Sequence, residues 1–239
     1  MTALPPPGDL LPLEEQAYRQ LRRALVEGTF APGAKLSLRR MAAALGTSPM
    51  PVRAALRRLA AEQALDITSS GSAIVPRLTR AAFLELSEVR AALEPLALRM
   101  AAPHIDTATL ATLGQLLEGQ AAARSSGRPD DFLQLDREFL FSLYRRAEAP
   151  LLVGMIESLW LRRGPLFWEA RWMLVGRPAE LAHRHAQILQ ALRQGDGASA
   201  ARELESEIRD ATDFLLKQMR FAGEPDTPRE VQPLLRPGT

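Results

Sequence analysis

Leu38-Arg39-Arg40-Met41-Ala42-Ala43-Ala44-Leu45-Gly46-Thr47-Ser48-Pro49-Met50-Pro51-Val52-Arg53-Ala54-Ala55-Leu56-Arg57-Arg58-Leu59 is the stretch that decides the fold. Leu38, Met41, Ala42 and Leu45 recur at i, i+3, i+4 and i+7, which predicts a short helix with one apolar face. Gly46 suits the left-handed residue that ends such a helix. Ser48 is placed to cap the next one through its hydroxyl, and Pro51 is tolerated in a first turn. Val52, Ala55, Leu56 and Leu59 give the second helix its buried stripe. Arg53 and Arg57 lie one turn apart on another side, with Arg58 beside them. Gly28 to Leu36 leads in, and Ser69-Ser70-Gly71 closes a small hairpin. Two helices around a tight turn, followed by a hairpin, predict a winged helix-turn-helix, whose second helix enters the DNA major groove.

Charge points the same way. Between Lys35 and Arg58 the ionisable residues are Lys35, Arg39, Arg40, Arg53, Arg57 and Arg58, with no Asp or Glu. A one-signed segment attracts phosphates, and arginine adds a bidentate fork for guanine. Two amphipathic helices with a solvated arginine face are also common in small helical proteins, so pattern and charge alone leave that reading open.

The order Gly28, Pro32-Gly33, Leu36, Leu45-Gly46-Thr47-Ser48, Pro51-Val52-Arg53, Ala55-Leu56, Leu59 is similar to the DNA-binding domain of the GntR family of bacterial transcriptional regulators. The resemblance implies Arg39, Ser48, Met50, Arg53, Ser70 and Gly71 at the DNA, and helical spacing adds Arg57. Three positions depart from the family pattern: Pro49 stands for its Arg, Met50 for its Thr and Ala54 for its Glu. Pro49 and Met50 remove hydrogen-bonding groups, which implies an operator unlike those of relatives.

Residues 83–222 read as all-α, with Ala/Leu-rich segments and no strand pattern. Breaks near Pro103-His104, Gly127-Arg128-Pro129, Ala149-Pro150, Gly176-Arg177-Pro178 and Gly195-Asp196-Gly197 divide it into about six helices. The fold expected is therefore mainly α: a disordered tail at 1–10, a winged helix-turn-helix with a hairpin wing at 11–76, a linker at 77–82, a helical-bundle effector domain at 83–222, and a Pro-rich disordered tail at 223–239.

Val89-Arg90, Leu93-Glu94 and Ala97, then Asp136-Arg137-Glu138-Phe139, then His185 through Leu192 with Gly195-Asp196 and Ala200-Ala201 are similar to the FCD ligand-sensing domain of the FadR subfamily. In many such domains an Asp and three His hold a metal. That set maps onto Asp136, Leu140, His185 and Glu207. Leu140 cannot coordinate, so the resemblance leaves Asp136, His185 and Glu207 for a divalent ion, a set shifted toward harder metals. Each has an ordinary alternative: Asp136 paired with Arg137 or another surface arginine, His185 as a hydrogen-bonded core residue, and Glu207 solvated among Glu203, Glu205 and Arg209. His183 falls on a different face from His185, and His104 carries no motif. The resemblance also implies a small-molecule effector, an organic acid or related metabolite. Arg90, Arg162, Arg163 and Arg171 are candidates to clamp a carboxylate, with Arg90, Arg163 and Arg171 preferred. Trp160, Phe167, Trp168 and Trp172 either line that pocket or fill the core or a subunit contact.

Composition bounds the rest. The 239 residues suit two modest domains, and 46% hydrophobic content supplies a core. Mean hydropathy is −0.10, and there is no apolar run long enough to span a membrane. No secretory signal is visible. With no cysteine, disulfides, thiolate catalysis and cysteine-held zinc are excluded, which fits a cytoplasmic protein. Net charge is only +2, so the local cluster carries the argument for DNA. No Walker loop, dinucleotide fingerprint or nucleophile elbow occurs. The chain thus reads as a non-enzymatic, homodimeric, effector-controlled repressor on double-stranded DNA. A metal-dependent helical enzyme and an interaction protein with a decayed reading head are the alternatives.

Overall fold

The computed structural model describes residues 11–68, 72–176 and 184–224. Helix α1 (Leu13–Val26) carries Glu14 and Glu15 in its first turn and Arg23 in its last, which complements the helix dipole. Its Ala17, Tyr18, Leu21 and Leu25 form one buried stripe. α2 (Leu38–Ala44) ends just before Gly46, which adopts φ +61 as its place in the sequence predicts. α3 (Pro49–Ala61) buries Val52, Ala55, Leu56 and Leu59, the four predicted positions, and packs on α1 and α2. Three two-residue strands complete the head: β1 (Lys35–Leu36), β2 (Asp66–Ile67) and β3 (Ala73–Ile74), in the antiparallel order β1-β3-β2. Lys35 pairs with Ile74 and Asp66 with Ile74 from the other side. The hairpin of the sequence reading is thus extended by a third strand drawn from the lead-in segment.

The second half is a bundle of seven α-helices among the described residues. α4 (Arg80–Ala101) starts at Arg80, because Thr79 Oγ1 accepts the Ala82 N–H at 3.1 Å and nucleates the helix inside the stretch read as linker. α5 (Thr107–Ser125) is capped by Asp106 and α10 (Gly197–Gln218) by Asp196, each through a carboxylate accepting a backbone N–H. Between them lie α6 (Pro129–Tyr144), α7 (Pro150–Arg163), α8 (Phe167–Val175) and α9 (His185–Arg193). α10 packs along α4, α5 along α6, and α9 against both α5 and α10. The main core holds Leu98, Leu113, Phe139, Leu143, Ile156 and Ile188.

The seventh helix arises from a break at Gly164-Pro165 that the sequence reading passed over. A single 3₁₀ turn, Gly164–Leu166, separates α7 from α8. Its cause lies in the head: a Cβ on Gly164 would overlap the Leu25 carbonyl oxygen and stand 2.7 Å from Val26 Cα. Gly28, at φ +64, faces it, and a Cβ there would lie 2.9 Å from Gly164 O. The two backbones therefore touch. Leu161 of α7 joins the head's core, Arg22 bonds Glu157 at 3.2 Å and Arg137 bonds Glu27 at 3.3 Å. The readings made for 1–10, for Ser70, Gly71 and His183, and for the tail from 225 onward lie outside the described residues.

Candidate nucleic-acid face and sensor chamber

The exposed side of α3 is what the stripe leaves over once Val52, Ala55, Leu56 and Leu59 are buried. Arg53 and Arg57 stand on it, exposed and without an acidic partner among the described residues. Ser48 occupies the N-cap position of α3 with extended backbone, but its hydroxyl makes no capping bond, so the oxygen stays available to an external donor. Pro49 takes the first helical position, where a missing N–H costs nothing. Met50 is 68% exposed, a large apolar side chain at the N-terminal end of the helix. Arg39 projects from α2, also exposed. Arg58, adjacent to Arg57, is turned away: Nη1 bonds Glu15 Oε2 at 2.8 Å and the guanidinium lies 3.5 Å from the centroid of the Tyr18 ring.

In the bundle, α6, α9 and α10 bring Asp136, His185 and Glu207 together. One donor atom from each lies within 4.8 Å of the others, and all three are buried. His185 Nε2 is 3.4 Å from Glu207 Oε1 and 3.6 Å from Asp136 Oδ1. The ring is fixed on both sides. It stacks on Phe139, centroids 4.2 Å apart, and Nδ1 lies 2.8 Å from Gln120 Oε1. Gln120 donates its amide N–H to Leu135 O at 3.2 Å, so its oxygen faces the imidazole and Nδ1 carries the proton. That leaves Nε2 directed at the two carboxylates, the arrangement that orients a metal-binding histidine. Burial alone disfavours the imidazolium, but the Glu207 carboxylate and then Asp136 outweigh it and raise His185 above its ordinary pKa. Leu140, one turn from Asp136, belongs to the apolar core.

Of the ordinary roles, His185 does fill that of a hydrogen-bonded core histidine, through Gln120, whereas Arg137 and Glu207 depart from theirs. Arg137 reaches Glu27 in the head rather than serving Asp136. Glu207 is buried and accepts the Arg184 N–H at 2.8 Å, while Glu203 and Glu205 serve Arg184 and Arg209. The residues present therefore fit a small divalent cation: one nitrogen oriented by Gln120 and two carboxylates, that of Glu207 held by the Arg184 N–H.

Beside this trio sits a buried ionic network. Glu94 accepts from Arg90 Nε at 2.6 Å and Nη2 at 3.2 Å, from Tyr144 Oη at 2.6 Å and from Trp160 Nε1 at 2.9 Å. The charge of Arg90 is thereby matched: burial works against it, but Glu94 raises its pKa overall. Arg163 is treated differently. Its guanidinium lies over Trp160 and Phe167, 4.7 and 4.4 Å from their centroids, and buried Nη1 has no hydrogen-bond partner among the described residues. Burial, and then the neighbouring Arg90 charge, push it down to about 9, which still leaves it cationic at neutral pH. Arg90 and Arg163 thus share the Trp160 ring. Arg171 lies at the head–sensor junction instead, bonded to Gly28 O and Asp130. Trp160 and Phe167 are buried, whereas Trp168 and Trp172 are exposed. Gln120, Tyr144 and the acceptor role of Glu94 escaped the sequence reading. The Arg90/Glu94 spacing of four was the one local signal.

The comparisons with known proteins agree with this layout. The model "Bacterial regulatory proteins, gntR family" matches residues 13–75, and the FCD domain model matches residues 85–210. The chain is similar to the HTH-type transcriptional regulator McbR of Escherichia coli K12, 34% identical over 150 residues, covering 63% of this chain and 68% of that one. It is 29% identical over 212 residues to the HTH-type transcriptional repressor RspR of the same strain, covering 87% and 91%. The solved structure of E. coli McbR/YncC superposes with a TM-score of 0.80 at 30% identity, over 87% of this chain and 99% of that one. These relatives are transcriptional regulators and not enzymes, which removes the helical-enzyme alternative. No described helix is long and apolar enough to cross a membrane. The chain belongs to the GntR family of bacterial transcriptional regulators, with an N-terminal DNA-binding helix-turn-helix head and a C-terminal FCD domain.

Proposed function

We propose that this regulator is a homodimeric repressor whose grip on its operator is loosened by a small carboxylate bound in the sensor chamber beside a divalent metal. The observation that carries the effector reading is Arg163: a buried cation with an unsatisfied Nη1 is costly unless an anion meets it. Arg90, also over the Trp160 ring, is already matched by Glu94, so Arg163 is the cation left for an anion. Asp136, His185 and Glu207 would hold the ion, which would supply a further positive centre for the acid's oxygens. Arg163 immediately precedes Gly164, whose backbone abuts Leu25 of the head. An anion that repositions Arg163 therefore bears on the head, and it shifts operator affinity by its differential affinity for the two head arrangements. The repressor sign and release by ligand rest on analogy. On the DNA side, Arg53, Arg57, Arg39, Ser48 and Met50, with Ser70 and Gly71 of the wing, would form the contact. Such a protein acts in the cytoplasm.

The test is fluorescence anisotropy of the protein on DNA upstream of its own gene, with random DNA of equal length as competitor. Binding should survive the competitor and weaken on addition of the cognate acid with Mn²⁺ or Zn²⁺. Binding no tighter than to random DNA at several salt concentrations would overturn the operator reading. The metal reading has its own test. Gln120→Leu, which removes the partner of His185 Nδ1, should lower Mn²⁺ or Zn²⁺ affinity about 10- to 100-fold by calorimetry. Equal affinity in both proteins would remove Gln120 as the orienting partner, and affinity unchanged in Asp136→Ala and Glu207→Ala would remove Asp136, His185 and Glu207 as the ligand set.

An apolar face supports the homodimer reading. Val89, Leu96 and Met100 of α4 are exposed on one side of the helix, and α7, packed on α4, exposes Leu151 and Met155. A second copy is the occupant that a pseudo-palindromic operator calls for. The double variant Leu151→Glu/Met155→Glu should sediment as a monomer and lose affinity for the full operator; an unchanged dimer would place the interface elsewhere.

A further inference from the structure

We propose that the cleft between head and sensor is a second small-molecule site, separate from the central chamber, and that it takes an aromatic monocarboxylate. The cleft encloses about 320 Å³, the lower end of the range for small-ligand pockets. Its lining includes the aromatic residues Trp160, Phe167 and Trp168, and Val26 of α1 and Leu133 of α6 add apolar surface. Trp168 is 47% exposed, an aromatic face left for something to cover.

Arg23, Arg137 and Arg171 line the cleft together with Glu27, Asp130 and Asp131. Arg137, its side chain 22% exposed, is bonded to Glu27, 32% exposed. Arg171 lies deepest, 15% exposed, and its acidic partner among the described residues, Asp130, is 70% exposed. Arg171 is thus the inner cation whose counter-charge stands at the surface, the one an incoming anion can claim. Arg171 is already set for one. Its Nε donates to Phe167 O at 3.1 Å, its Nη2 to Gly28 O at 2.6 Å, and its guanidinium lies 5.2 Å from the Trp168 centroid. Only Nη1 is held by a surface group, Asp130 Oδ1 at 2.6 Å. An incoming carboxylate replaces Asp130 at Nη1 and leaves both backbone bonds in place, while its ring covers Trp168. Because the same guanidinium holds the carbonyl of Gly28, in the turn that closes α1, such a ligand is sensed by the head without passing through the central chamber.

The experiment uses the full chain and 2-naphthoate as probe, read by calorimetry and by tryptophan fluorescence, with uncharged 2-naphthamide as control. Naphthoate should bind saturably and the amide should not. Asp130→Asn, at the surface, should tighten naphthoate binding several-fold by removing the competing carboxylate, and it carries the test even where Arg171→Gln loosens the junction. Arg171→Gln should weaken binding about tenfold or more, the effect of losing one charge-assisted contact. Three results would overturn the proposal: equal binding of the amide, no saturation by about 10 mM, or affinity that follows Arg163→Gln while ignoring Asp130→Asn and Arg171→Gln. The last would place the ligand in the central chamber, so this site and that one fail separately.

Discussion

Glu94→Ala should lower the free energy of unfolding by about 3–5 kcal/mol, the effect of removing one member of a buried ion pair. In a chain of this size that is roughly 6–20 °C in Tm, at about 2–4 °C per kcal/mol. Glu94 is fully buried and is the acceptor for Arg90, Tyr144 and Trp160 at once. Its loss leaves one guanidinium, one phenol and one indole N–H without their partner, and Arg90 becomes an uncompensated charge in an apolar core. Tyr144 reports the same environment: burial, and then the Glu94 charge, push its hydroxyl well above the ordinary range, so it stays a neutral donor.

The size of the effect is a statement about breaking the pair, and a second variant tests that interpretation. The double change Arg90→Met/Glu94→Met removes both charges and should recover most of the loss, because a well-packed apolar replacement for a buried pair is often neutral or better. Chemical denaturation of the two variants decides it. A double variant as unstable as Glu94→Ala would mean that packing around Trp160, and not the stranded charge, sets the stability. The network also ties three helices together: α4 contributes Arg90 and Glu94, α6 contributes Tyr144 and α7 contributes Trp160.

How far the sequence revealed this molecule depends on how local each feature is. The α2–α3 stripe was legible because period, cap and turn glycine sit within one short segment. Arg53 and Arg57 followed from the same spacing. Their neighbour Arg58 differs in having Glu62 four residues on, which pairs with it at 3.4 Å, but its stronger hold by Glu15 and Tyr18 of α1 is a contact between distant elements that the local sequence does not announce. The Gly164 break was missed for the same reason: the helical pattern runs through it, and the steric demand comes from Leu25 in the head. Asp136, His185 and Glu207 were reached through family resemblance, since no spacing links three helices. Gln120 and the shared use of Glu94 were invisible, being contacts between elements far apart in the chain. Arg90, Arg163 and Arg171 looked alike as carboxylate clamps. The fold gives each a different neighbour: Glu94 for the first, aromatic rings and an unsatisfied Nη1 for the second, the Gly28 carbonyl for the third.

Arg53→Ala should weaken operator binding by about 1–3 kcal/mol per head, and by about twice that for a dimer engaging two half-sites. The position has the features of a base reader. It lies in the first half of α3, the part of a recognition helix nearest the base edges. Its side chain is exposed and has no acidic partner among the described residues, so no intramolecular bond must be broken before it meets DNA. Arg57, one turn on, is expected to act on phosphate. Arg57→Ala should weaken specific and random DNA alike and reduce the salt slope by about one. Arg53→Ala should instead narrow the gap between operator and random sequence. Arg58→Ala is the internal control: same charge, next residue, but held by Glu15, so operator affinity should change little while stability falls by at most about 1 kcal/mol, the range of an exposed pair. Met50 is read through the same titrations. Met50 is 68% exposed, and its thioether would offer apolar contact to a thymine methyl where the family pattern implies a threonine hydroxyl. Met50→Thr should therefore shift which base is preferred at one operator position more than it changes overall affinity. If Arg53→Ala and Arg58→Ala weaken operator binding equally, charge alone drives association and α3 does not read sequence.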